Sequence, residues 1–118
     1  MRIIKFRFWD KQFNKFLYQL SEEHYLDLKR FDIQQFTGLL DKNGKEVYEG
    51  DIVRYSIPKS DGDYKGVGEI FWNEAYCGFR IKDILKMPQP QTPFIEVIGN
   101  IYENSNLLPP TKVKGETI

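Results

Sequence analysis

From Ile3 to Trp9 the chain alternates between two sides. Ile4, Phe6 and Phe8 fall on one, and Ile3, Lys5, Arg7 and Trp9 on the other. A period of two predicts a strand with one buried side. Asp10 to Lys15 is a polar turn, and Phe16-Leu17-Tyr18 begins a return, so residues 3–20 predict a β-hairpin. Its loop lacks a two-residue Asn-Gly or Asp-Gly turn, which leaves the register open. Ser21-Glu22-Glu23 suits a helix start, with serine as N-cap and acids in the first turn. Beyond it, Tyr25, Leu28 and Phe31 fit a short helical face. Leu26, Leu28, Phe31 and Ile33 fit alternation as well, so both readings of residues 21–34 stand.

Phe36 to Leu40 reads as the next strand. Asp41-Lys42-Asn43-Gly44 supplies a tight turn, because Asn and Gly tolerate positive φ. Glu46-Val47-Tyr48 pairs back, Glu49-Gly50-Asp51 bends, and Ile52 to Ile57 is a strong strand. Pro58 to Gly66 is a loop by composition. Val67 to Trp72 is a strand whose internal Gly68 marks a bulge or a close backbone approach. Asn73 to Tyr76 turns, Cys77 to Ile81 returns, Lys82 to Pro93 is a proline-rich loop, and Phe94 to Ile98 is the last strand. Short strands and glycine-rich turns predict a mostly β fold with minor α. The expected architecture is an N-terminal hairpin packed on a small SH3-like barrel. Residues 1–104 are expected to form one domain, with 1–34 the hairpin region, 35–104 the barrel and 105–118 a tail.

Composition narrows the function classes. Aromatics make up 15% of the 118 residues, which favours strands. The 17 basic and 17 acidic residues cancel, which disfavours a strongly basic nucleic-acid binder. One cysteine cannot form an internal disulfide, so a reduced, cytoplasmic setting is expected. The start has no signal-peptide pattern, and no apolar run approaches the roughly 20 residues needed to cross a bilayer.

Four segments carry a resemblance. The opening I-K-F-R-F-W-D-K, the central Q-F-T-G-L-L-D-K-N-G-K-E-V-Y-E-G-D-I-V, then G-E-I-F-W-N-E-A-Y-C-G-F and E-V-I-G-N-I-Y-E-N resemble, in order, the blocks of the YopX family of phage and prophage proteins. The resemblance spans roughly residues 3–104. Phe8 stands where a small residue is commoner and Leu40 where a lysine is commoner. The resemblance implies a phage-encoded, mostly β protein in a bacterial host, with no catalytic residues to carry over.

The residues themselves carry little chemistry. His24 has no second histidine to partner it, and Cys77 no second cysteine. Cys77 is therefore read as a small buried apolar residue and His24 as a surface or turn residue. A calcium loop starting at Asp41 would need glycine at its sixth position, whereas Gly44 is fourth. Glu46, Glu49 and Asp51 could form an acid–base group, but the structural reading is that Asp51 bonds the bend and the glutamates face water. No phosphate-binding glycine loop is present. No catalytic group, cofactor or metal is expected. The candidate binding surface joins aromatics to arginines: Arg7, Trp9, Arg54, Tyr55, Trp72, Tyr76, Phe79 and Arg80. The expected function is non-enzymatic protein binding, to a host or phage protein or to a second copy of the chain. A nucleic-acid-binding barrel is the alternative.

Overall fold

The computed structural model describes residues 3–83 and 87–109. Its strands form two four-stranded antiparallel sheets. The first contains β1 (Phe6–Asp10), β2 (Lys15–Leu17), β3 (Phe31–Leu40) and β4 (Glu46–Tyr48), in the order β2-β1-β3-β4. The second contains β5 (Asp51–Ile57), β6 (Tyr64–Asn73), β7 (Gly78–Lys82) and β8 (Ile95–Asn100), in the order β7-β6-β5-β8. The fold is mostly β, and one sheet curls into a half-barrel. The first two residues, the centre of the proline-rich loop and the tail from Pro110 lie outside the described residues.

The N-terminal hairpin forms, with Trp9 opposite Phe16. It extends a sheet: β1 also pairs along β3, from Phe6 opposite Gln35 to Asp10 opposite Phe31. The buried side of this strand carries Arg7 and Trp9, two members of the candidate binding surface. Both are buried, while Ile4 and Phe6 face outward. Aromatic and aliphatic residues occupy both sides of this strand, so alternation defines two faces without saying which one is covered.

Between β2 and β3 the chain forms a 3-10 segment, Glu22–Arg30, kinked at Asp27. The Ser21 N–H donates to His24 Nδ1 at 2.9 Å, so the histidine caps the turn. Arg30 anchors the far end. Its Nε and Nη2 donate to the buried Asp10 carboxylate at 2.8 and 2.6 Å. That guanidinium holds the Asp10 carboxyl well below the usual carboxylate range.

The Asn43-Gly44 turn forms as expected, with the Gly44 N–H on Asp41 O at 3.0 Å and φ +84° at Gly44. Asp41 does more than turn the chain. Its Oδ1 accepts the Asn43 and Lys45 N–H groups at 2.9 Å, and its Oδ2 accepts the Val97 N–H at 2.9 Å. Burial pushes its pKa up, but these three donors outweigh that and hold it below the ordinary value. The turn of one sheet is thereby clipped to the outer edge of β8, covering an edge that would otherwise be open to stray pairing.

The half-barrel core is Val47, Val53, Tyr55, Ile70, Ile81 and Ile95. Tyr55 is buried, and its O–H donates to Asp83. Gly68 marks a close approach and not a bulge, since the β5–β6 ladder is regular past it. A Cβ at Gly68 would stand 2.4 Å from the Lys82 carbonyl oxygen. Cys77 is exposed at φ +49° in the β6–β7 turn, which corrects its expected burial. The Tyr76 N–H on Asn73 Oδ1 at 3.1 Å and the Cys77 N–H on Glu74 O at 3.2 Å close that turn, with the cysteine at its exposed end.

Candidate functional site

A buried polar group joins the two sheets. Arg7 enters from β1 and donates through Nη2 to Asp51 Oδ1 at 2.9 Å and through Nε to Gln34 Oε1 at 2.8 Å. Its guanidinium carbon lies 4.2 Å from the Phe16 ring centre and 4.8 Å from that of Tyr48. The other Asp51 oxygen accepts the Tyr48 N–H at 2.8 Å. Burial raises the Asp51 pKa, and the charge of Arg7 offsets only part of that rise. Next to this pair, Trp9 stacks on Tyr102 with centroids 4.7 Å apart and planes 5° apart. The Tyr102 O–H donates to Asp32 at 3.1 Å, and burial pushes the phenol well up.

Gly50 connects this centre to the second sheet. Its N–H donates to Ile70 O at 2.8 Å, and its carbonyl accepts the Ile101 N–H at 2.9 Å. Residues from the opening, central and closing segments therefore meet at one place. Arg7 Nε and Nη2 and both Asp51 carboxylate oxygens have partners, and the two residues come one from each sheet, so the centre is built to hold sheets together.

The three central carboxylates do not converge. Glu46 pairs with Lys5 and accepts the Tyr48 O–H at 3.3 Å, whose phenol burial pushes up to about 12. Glu49 accepts the Gln35 N–H at 3.2 Å, and Asp51 faces Arg7. Among the described residues, no group of three or more His, Cys, Asp or Glu side chains could hold a metal ion.

The eight candidate binding residues separate into an interior and an exterior set. Arg7, Trp9 and Tyr55 are inside and cannot contact a partner. Arg54 is outward but pairs with Glu96 at 3.1 Å. The other four, Trp72, Tyr76, Phe79 and Arg80, share the β6–β7 hairpin. Trp72 is opposite Phe79, with their rings edge to face at 5.2 Å. Trp72 is 43% exposed and Tyr76 59%. The Arg80 guanidinium sits 4.3 Å from the Tyr76 ring centre.

Alternation divides the hairpin into two faces. Trp72 and Phe79 extend the side that carries the core residues Ile70 and Ile81. Phe71, opposite Arg80, lies on the reverse side, where the Lys82 ammonium stands 5.1 Å from its ring centre. Phe71 and Glu69 also line a depression of about 320 Å³ with Asp32, Glu49 and Tyr102. Burial raises the Glu69 pKa. The candidate surface omitted Phe71 and Lys82, although the cross-strand positions of a short hairpin could have paired Phe71 with Arg80 and Glu69 with Lys82.

Among solved structures, the chain is similar to protein EF1440 from Enterococcus faecalis, with a TM-score of 0.67 and 26% identity. The similarity covers 92% of this chain and 100% of that one. No curated protein matches. Among protein families, the one described as YopX protein matches residues 19–109, which takes in the central and closing segments and begins after the opening strand. The chain belongs to the YopX family.

Proposed function

We propose that the chain is a non-enzymatic protein-binding module whose contact surface is the β6–β7 hairpin. The proposed setting is the bacterial cytoplasm, with a host or phage protein as partner, in line with its single unpaired cysteine. The observation that carries the reading is an exposed Trp72 and Tyr76 braced by Phe79 and Arg80 on a rigid two-stranded support. Trp, Tyr and Arg are the residues that dominate binding energy at protein interfaces. Paired strands hold Trp72, Phe79 and Arg80 and the turn between them holds Tyr76, so little side-chain entropy is lost on contact. Nucleic acid is the weaker reading. Arg7 is buried against Asp51, Arg54 is held by Glu96, and the depression beside Phe71 carries Asp32, Glu49 and Glu69.

The test is affinity capture by the full chain from a lysate of its bacterial host, followed by titration of the captured protein. Trp72→Ala and Tyr76→Ala should each weaken binding by at least about 30-fold, the effect of losing a hot-spot side chain. Both positions are exposed, so the thermal midpoint should barely move. Unchanged affinity in both variants overturns the assignment. So does binding to DNA or RNA alone with a steep salt dependence.

A further inference from the structure

We propose that the outer face of the first sheet, with the 3-10 segment lying on it, is a twofold interface between two copies of this chain. The strand order β2-β1-β3 sets β2 and β3 parallel on either side of β1. Glu22–Arg30 must therefore cross β1. It does so on the outer side, where the His24 ring meets Phe31 at 5.2 Å. No residue of this segment is buried, and Leu26 is 87% exposed. Beyond the segment, Ile4 and Ile33 stand 62% and 56% exposed with Phe6 beside them.

Area and charge together point to a second copy as the occupant. Ile4, Phe6, Tyr25, Leu26, Leu28 and Ile33 expose roughly 700 Å² between them, near the ~800 Å² per partner of a stable interface. On this side Ile4, Phe6, Phe8, Leu17, Ile33 and Gln35 carry no charge, and its charged positions lie at one end, with Asp10 neutralised by Arg30 and Lys15 beside it, so the apolar part of the face can meet its own image without like-charge contact. The 3-10 segment is polarised along its length, with Glu22 and Glu23 in its first turn and Lys29 and Arg30 in its last. A twofold axis near Leu26 runs the two segments antiparallel. That sets Glu22 and Glu23 of one copy beside Lys29 of the other, the self-complementary pattern of an isologous contact. The chain's zero net charge adds no long-range repulsion between copies.

This surface is separate from the β6–β7 hairpin, and sedimentation velocity on the full chain tests it alone. Wild type should sediment at twice the 14.0 kDa chain mass. Leu26→Glu should weaken self-association at least about tenfold, and its exposure leaves the fold unaffected. Lys29→Glu should weaken it as well. The double reversal Glu22→Lys with Lys29→Glu should recover part of the loss, which a merely structural role would not produce. A wild-type monomer at tens of micromolar overturns the proposal, as does a Leu26→Glu dimer of wild-type affinity. Loss of the dimer in Trp72→Ala and not in Leu26→Glu overturns it too, by moving the contact to the hairpin.

Discussion

Arg7→Met is expected to destabilise the protein by about 3–5 kcal/mol at neutral pH, the usual result of removing one partner from a buried ion pair. The variant keeps the bulk of the side chain against Phe16 and Tyr48 but leaves the Asp51 carboxylate inside with only the Tyr48 N–H. The loss should depend on pH. Burial already raises the Asp51 pKa above its ordinary 3.8, and removing Arg7 raises it further. An acid with a raised folded pKa holds its proton more tightly in the folded state than in the unfolded one. Stability is therefore lost as pH rises from the unfolded value through the folded one. Urea unfolding should thus find Arg7→Met closer to wild type at pH 4 than at pH 8. Subtracting wild type at each pH cancels the opposite trend from Asp10 and Asp41, whose lowered pKa values contribute stability that disappears in acid. A stability loss under about 1 kcal/mol at pH 8 would remove the basis for a structural Arg7.

Gly50→Ala is expected to be nearly as damaging, and Gly44→Ala supplies its control. The two glycines have φ of +86° and +84°, so the backbone penalty is the same, about 1–2 kcal/mol for an L residue. A Cβ at Gly44 meets nothing within 4 Å, whereas at Gly50 it would stand 1.9 Å from Gln34 Nε2. Gln34 is buried and accepts the Arg7 Nε–H, so its amide cannot move aside without breaking that bond. The extra loss should be about 1–3 kcal/mol, the cost of a buried polar group deprived of its partner. Thermal or urea unfolding of both variants compares them directly. Equal losses would show that Gln34 gives way freely.

Much of the fold was legible because its signals are local. Asn43-Gly44 demands a turn that few other residue pairs permit, and Gly50-Asp51 demands a bend. Alternation in Ile52 to Ile57 and Val67 to Trp72 names strands without any knowledge of their neighbours. The resemblance of the central and closing segments likewise needed only contiguous residues. What the sequence withheld is non-local. Arg7 meets Asp51 44 positions away, and Trp9 meets Tyr102 at the other end of the chain. An arginine on a strand reads as a surface residue unless its distant carboxylate is known. For that reason Arg7 and Trp9, together with Tyr55, entered the candidate surface although the fold uses them inside. Trp72, Tyr76, Phe79 and Arg80 lie near one another because one short hairpin carries all four.

The opening, central and closing segments thus meet in a buried centre, and the exposed Trp72 and Tyr76 lie apart from it on the β6–β7 hairpin. A double-mutant cycle measures that centre directly: urea unfolding at neutral pH of wild type, Arg7→Met, Asp51→Asn and the double variant. Each single variant should lose about 3–5 kcal/mol, because each leaves a buried group without its charge partner. The double variant buries neither charge, so it should lose less than the two singles combined, by at least about 1.5 kcal/mol. Two singles within about 0.5 kcal/mol of wild type and a strictly additive double would contradict a structural centre built on Arg7 and Asp51.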